Sequence, residues 1–261
     1  MKALSTAATG MLAQQLNIDV ISNNIANMNT TGFKRGRAEF QDLLYQNIER
    51  VGANSSDAGT VVPSGIQVGV GVRTAGVYRI TDQGSLQNTG NMFDIAINGR
   101  GFFHIQLPDG QDAYTRAGSF QIDQNGQLVT PEGFAVQPAI NIPQDSIDVT
   151  INEQGEVMVK QDGQTNPAVV GTLELAIFPN EVGLEAIGGN LYLESQASGA
   201  AVPSSPGQPG YGTVFQGFLE QSNVNAVGEI TSMISAQRAY ELNSKVIQTA
   251  DEMLQAANNL R

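Results

Sequence analysis

Matching heptad stripes at the two ends of the chain constrain its fold more than any other feature. Leu4, Met11, Ile18 and Ile25 recur every seven residues, with Ala7, Ile21 and Met28 three residues after members of that row. Near the other end Ala239, Val246, Met253 and Leu260 repeat the pattern, interleaved with Ala236, Ala250 and Ala257. An amphipathic helix with a narrow a/d seam needs a partner for that seam, and the simplest partner for one terminus is the other. The expected fold class is therefore α+β. The N- and C-terminal helices, about 1–32 and 225–261, pair as a coiled-coil stalk, and a central, mainly antiparallel β domain fills 71–210. Residues 33–70 and about 211–224 connect the two.

The polar side of the first helix is unusual. Between Ala3 and Gly32 the single charge is Asp19, and the other polar positions are mostly Asn, Gln, Ser and Thr. Asn and Thr are poor helix formers, so this helix in isolation would be marginal in water. Uncharged amides, however, can be desolvated against other amides at far lower cost than charges. Such a face suits a helix packed on several sides inside an assembly.

Composition narrows the function classes. In 261 residues, 13 basic groups face 25 acidic ones, a net charge of −12. That balance repels phosphates and anionic lipid, so neither a nucleic-acid partner nor direct membrane insertion is expected. Lys34, Arg35 and Arg37 are a local exception; without interleaved aromatics they read as a solvated bend. Cysteine is absent, which excludes disulfides and thiolate metal sites. No run approaches the roughly 18 apolar residues of a membrane span. The segment after Lys2 is broken by Thr6, Thr9, Gly10 and Gln14, so it forms no secretory h-region and no cleaved signal is expected.

Between the helices the chain is punctuated by turn chemistry. The first helix is expected to stop at Thr30-Thr31-Gly32. Phe40, Leu43, Leu44 and Ile48 form a helical or extended apolar patch, and Ile66 to Tyr78 alternates as a strand. Pro108-Asp109-Gly110, Asp123 to Gly126, Pro131-Glu132-Gly133, Gln154-Gly155 and Asp162-Gly163 mark hairpins. Ile122 to Val129 and Ile151 to Met158 share one pattern, read as recurring hairpins. Pro203 to Gly210 reads as a loop returning to the stalk.

Catalytic chemistry is thin. Gly69 and Gly71 fail as a phosphate loop because Thr74 stands where a third glycine belongs. Asp123 and Asn125 lack the remaining calcium ligands, and a turn accounts for them. His104 is the sole histidine and reads as a strand residue, so neither a His-based zinc site nor a Cys-His pair can be built. Scattered carboxylates leave a carbohydrate-active enzyme as a remote alternative. No enzyme and no cofactor is expected.

Ile21-Ser-Asn23-Asn24-Ile-Ala-Asn27 followed by Thr31-Gly32-Phe33-Lys34 resembles the N-terminal signature of bacterial flagellar rod and hook proteins. Ser222-Asn223-Val-Asn225, then Met233 through Gln237, Arg238, Tyr240 and Glu241, resembles their C-terminal signature. Asp94 to Phe103 and Tyr114 to Phe120 resemble the family's central β region. Within the family, the segment from Phe40 to Gly65 and the missing outer domain resemble distal-rod members more than proximal-rod or hook-like ones.

The resemblance implies a structural subunit of the flagellar basal body. In the family the terminal helices form an inner coiled coil around an export channel, and the subunit polymerises helically. It would leave the cell through the flagellar type III export apparatus, and the absence of cross-links suits a chain that travels unfolded. Its neighbours would be copies of itself, proximal rod and hook proteins, and the surrounding basal-body rings, in a rod crossing the periplasm to the outer membrane. Residues 41–59, anchored by Leu43, Leu44, Tyr45 and Ile48, would be an insertion that stiffens the rod.

Overall fold

Two helices and a mostly antiparallel set of strands make up the chain in a computed structural model that describes residues 2–49, 65–161 and 166–259. The chain divides into two units: Met1–Ile25, Gly36–Tyr78 and Asn225–Arg261 form the first, and Ala26–Arg35 with Arg79–Val224 the second. Residues 26–35 thus fold with the β unit and not with the helix that precedes them.

In the first unit, α1 spans Lys2–Ala26. It buries Ala7, Ala13, Ile21 and Asn24. The helix ends several residues before the expected stop at Gly32. Asn27 offers the chain a local alternative: the Thr30 N–H donates to its carbonyl at 3.2 Å, and the Thr30 hydroxyl donates to Asn27 Oδ1 at 3.1 Å. Met28 therefore lies beyond the helix, exposed.

Helix α2 spans Ala226–Asn259. Asn225 caps it, its Oδ1 accepting the Gly228 N–H at 3.1 Å, and Glu229 adds a negative charge to the first turn. Its inward row runs through Glu229, Ala236 and Ala250, with Met233, Asn243 and Ile247 half-buried. Among the described residues the two helices meet at Asn24 and Glu229 and come close at Gly10 and Asn243. Asn24 Nδ2 donates to Glu229 Oε2 at 3.1 Å, and a Cβ added at Gly10 would lie 2.9 Å from Asn243 Nδ2. The two contacts are equally far apart along each helix and run in opposite chain directions.

Two strand pairs complete this unit. Gly36–Asp42 pairs with Val72–Arg79, and Tyr45–Glu49 pairs with Ile66–Gly69. The expected strand from Ile66 to Tyr78 is interrupted at Gly71, whose φ of +134° excludes most side chains. A Cβ there would also collide with the Thr9 hydroxyl of α1. That hydroxyl accepts the Val72 N–H at 3.3 Å.

The second unit is built on a nine-stranded sheet. Its hub is Phe102–Gln106, paired with Asp112–Thr115, Ala135–Gln137 and Leu175–Ile177. Strand alternation sends Phe103 and Ile105 into one core with Ile95, Ile97, Phe120, Leu128 and Leu175. It sends Phe102 into a second core with Tyr114, Phe178 and Tyr192, where the rings meet edge to face at 4.8–5.9 Å. His104 is the strand residue expected, stacked on Tyr114.

The turn signals deliver. Gly110, Gly126, Gly133 and Gly155 all have φ between +80° and +90° and close tight turns. The two similar segments form equivalent hairpins, pairing Ile122 with Leu128 and Ile151 with Val157. Each turn glycine's carbonyl also accepts one further amide at 2.7 Å, from Ile142 and from Leu173. Asp162 and Gly163 lie outside the described residues. Of the expected loop from Pro203 to Gly210, residues 205–210 are loop and turn, whereas Val202–Ser204 is an edge strand on Leu175–Ile177, a place where a residue without an N–H is tolerated.

Candidate assembly surfaces and the connector cluster

The strongest electrostatic feature is a buried cluster that sequence reading missed. Lys34 Nζ lies 2.6 Å from Glu220 Oε1, and Arg116 Nε lies 2.8 Å from Glu220 Oε2. All three side chains are at most 5% exposed. The expected solvated bend at Lys34 is therefore corrected: its ammonium is withdrawn from water, also donating to the Asp82 carbonyl at 2.8 Å. Two cations share one carboxylate, and backbone carbonyls of Asp82, Gly99 and Gly101 meet the excess positive charge. The Gly84 N–H completes the shell of Glu220 at 2.8 Å.

Burial draws the Lys34 ammonium below its usual pKa, with Glu220 opposing that pull. For Glu220, burial pushes upward, but Arg116 and Lys34 together outweigh it and hold the carboxyl below its ordinary range. Tyr114 is pushed up to about 12 by burial and then by Asp112 and Glu194, and burial also raises Tyr192. A cavity of about 300 Å³ beside the cluster is lined by Lys34, Asp82, Gln83, Arg100 and Glu181, and within that lining Arg100 pairs with Glu181 at 2.8 Å. Among the described residues no group of His, Cys, Asp and Glu could hold a metal ion. No helix among them is long and apolar enough to cross a membrane.

The signature positions divide by what they touch. Asn24 donates to the Gly36 carbonyl at 2.9 Å and accepts the Gly36 N–H at 2.8 Å, besides its bond to Glu229. Asn223 accepts the Arg35 N–H at 2.8 Å and donates to the Ile80 and Asp82 carbonyls at 2.9 and 3.0 Å. Gly32 is buried at φ +68°, where a Cβ would approach Ala117 N to 2.7 Å. Phe33 is half-buried beside it in sequence, Asn27 and Asn225 serve the turn and the cap, and Asn23 is exposed. Gln237, Arg238 and Tyr240 are exposed on α2.

The seam positions divide as well. In α1, Ile21 is buried and Leu4, Met11, Ile18 and Ile25 are half-buried. In α2, Ala250 is buried and Ala239 half-buried, while Val246 and Met253 are exposed at 44% and 66%. Leu260 lies outside the described residues. Away from the inward row, α2 also exposes Val227, Ile230, Ile234 and Leu242.

The strand pair Tyr45–Glu49 and Ile66–Gly69 also exposes apolar side chains. Leu44 is 88% exposed, and Tyr45, Ile48 and Ile66 are also exposed, while Leu43 is half-buried. The Tyr45 hydroxyl bonds to Asp42, whose carboxylate raises the phenol above its usual pKa. The rest of the proposed insertion, from residue 50 to 59, lies outside the described residues.

Three family models match the chain. One, described as flagella basal body rod protein, covers residues 4–34; one, flagellar hook protein FlgE/F/G D1 domain, covers 96–159; one, flagellar basal body rod FlgEFG protein C-terminal, covers 216–260. The chain is 60% identical to the flagellar basal-body rod protein FlgG of Caulobacter vibrioides over the full length of both. It is 52% identical to the protein of that name from Buchnera aphidicola over 99% of each chain. Identity to the Bacillus subtilis protein of that name is 41%, over all of this chain and 99% of the other.

Proposed function

Because the chain belongs to the family of flagellar basal-body rod proteins, we propose that it is a structural subunit that polymerises helically into the distal rod around a central export channel. The observation that carries the reading is the pairing of full-length identity with an α2 surface that stays apolar outside its inward row, through Val227, Ile230, Ile234, Leu242, Val246 and Met253. A side chain of that size contributes about 1.5–3 kcal/mol when moved from water into an interface. A free subunit leaves that stabilisation unused.

The terminal helices pair as a coiled coil in this reading, supported by the antiparallel sequence of contacts from Asn24–Glu229 to Gly10–Asn243. The inward row of α2 serves the subunit, and the Val246–Met253 row serves its neighbours. Open helical polymers use heterologous contacts, so a different patch of the next copy receives each exposed row. The hairpin at Leu44, Tyr45 and Ile48 stiffens the shaft by docking on an adjacent copy. Proximal rod and hook proteins continue the tube at its two ends, basal-body rings surround it, and the type III apparatus exports the unfolded chain without a cleaved signal. The rod then stands in the periplasm and reaches the outer membrane.

Negative-stain electron microscopy of the purified protein under polymerising conditions tests the reading. Straight tubes are the expected product. Monodisperse particles at every concentration and ionic condition would overturn it.

A further inference from the structure

The cavity beside the buried cluster is walled by Lys34, Phe102 and Arg116, and its lining also includes the exposed Asp82, Gln83 and Arg100. All of these residues belong to the β unit. The buried charges beside it do not balance, because Lys34 and Arg116 are two cations and Glu220 is one carboxylate. Nor are the two cations used up by the bonds already described. Arg116 commits Nε to Glu220 and Nη1 to the carbonyls of Gly99 and Gly101, while Nη2, which is not sealed in protein, takes no partner among the described residues. Lys34 commits two of the three N–H groups of its ammonium, to Glu220 and to the Asp82 carbonyl. Both side chains are at most 5% exposed, so the cavity they line is where the remaining donors can meet an acceptor.

We infer that this cavity is a binding site for an aliphatic carboxylate, held by Arg116 and Lys34 with its hydrocarbon end against the Phe102 ring. Two acceptor oxygens answer the two uncommitted donors, and charge-assisted bonds of that type are stronger than neutral ones. One negative charge cancels the one positive excess. A phosphate group carries more than one negative charge at neutral pH and would overshoot it. The two lining carboxylates set the terms of entry. Asp82 is exposed, so its charge is screened by water and salt. Glu181 is 15% exposed and holds Arg100, which is 63% exposed, at 2.8 Å. Such a partly solvated pair is weak, so an entering carboxylate can take the Arg100 guanidinium in its place. The carboxylate belongs either to a free small acid or to an Asp or Glu side chain of a second copy, and a chain with 25 acidic residues offers many. The second source rests on the rod reading above; the site itself does not.

Amide NMR signals of the free subunit, titrated with sodium acetate at constant ionic strength, test the site. The amides of Lys34, Gly99, Arg100 and Arg116 are expected to shift saturably, with those of Val157 and Val159, which do not line the cavity, unmoved. Sodium phosphate at the same ionic strength is expected to bind less tightly. Glu181→Gln frees Arg100 from its competitor and is expected to tighten acetate about twofold to fivefold, within the worth of an exposed pair. Arg100→Ala changes an exposed side chain, so the fold is kept, and acetate is expected to weaken by a similar factor. Shifts that stay linear in acetate, or an affinity that ignores both variants, would overturn the site. Phosphate bound as tightly as acetate would overturn its selectivity for a carboxylate. Polymerisation then separates the two sources. If a second copy supplies the carboxylate, acetate raises the critical concentration for tubes more than sodium chloride of equal ionic strength does; if a free acid is the ligand, the two salts act alike. Failure of the wild type to polymerise would strike the rod reading instead and leave the NMR result standing.

Discussion

Lys34 Nζ sits 2.6 Å from Glu220 Oε1 in a site closed to solvent, although 186 residues separate the two. Lys34 follows the exit from α1 and Glu220 precedes α2, so within the β unit this ion pair joins the segment after one helix to the segment before the other. Desolvating charges is costly, and such a pair holds only when each partner is fully answered. Here Glu220 answers two cations, Lys34 and Arg116, and therefore carries more of the site than either.

That asymmetry gives the first prediction. Glu220→Gln leaves two buried cations without a counter-charge and is expected to lower the unfolding free energy of the β unit by about 3–5 kcal/mol. Lys34→Met removes one charge and leaves Glu220 paired with Arg116, so a smaller loss is expected. Urea denaturation followed by circular dichroism ranks the two; a larger loss for Lys34→Met would show that the carboxylate is not the centre of the site.

The pH dependence follows from the same carboxylate. Arg116 and Lys34 hold its folded pKa below the ordinary range against the opposing effect of burial. In the acid range the unfolded chain therefore binds more protons at this group than the folded one, and stability rises with pH. The contribution is complete above the unfolded pKa and is lost as pH falls through the folded value. Urea midpoints measured from neutral pH downward are expected to fall through this window in wild type and to fall less in Glu220→Gln. Parallel curves would remove Glu220 from the acid response.

The third prediction separates the two rows of α2. Val246 is exposed in the subunit, so Val246→Asp is expected to change subunit stability by no more than about 0.5 kcal/mol, as surface changes do. Assembly is expected to fail, because the charge enters the interface with a neighbour. Ile21 is buried within the subunit, and Ile21→Asp is expected to destabilise the helical unit itself. Sedimentation with circular dichroism distinguishes these outcomes; normal polymers from Val246→Asp would show that this row faces no neighbour.

What the sequence made legible was local. Heptad spacing located both helices, and glycine turn chemistry located the hairpins around Gly110, Gly126, Gly133 and Gly155, because each depends on residues a few positions apart. The end of α1 was misplaced because Gly32 looked like a stop signal, whereas its positive φ and lack of a Cβ serve the approach to Ala117. The Lys34–Glu220–Arg116 cluster was hidden for the opposite reason. Its members are 186 and 104 residues apart, and no periodicity links them. The available signal was a lone carboxylate, Glu220, following Phe218 and Leu219 where an apolar strand was ending.

The last prediction concerns stiffness between copies. A straight tube keeps one spacing between subunits on every side, whereas a bending tube needs contacts that slide or separate. A two-stranded hairpin is marginal by itself in water. The pair of strands Tyr45–Glu49 and Ile66–Gly69, with Leu44 just before it, nonetheless exposes Leu44, Tyr45, Ile48 and Ile66, the residues that would dock on another chain. Deleting 41–59 would remove the Tyr45–Glu49 strand and leave its partner unpaired, so paired substitutions read the docking contact more cleanly. Leu44→Ser with Ile48→Ser changes exposed groups and is expected to leave the free subunit's melting temperature nearly unchanged. Polymers are expected to form, since α1 and α2 are untouched, but to curve, with a shorter persistence length by electron microscopy. Tubes as straight as wild type would deny the hairpin a locking role, and complete loss of assembly would place it among the contacts that build the tube.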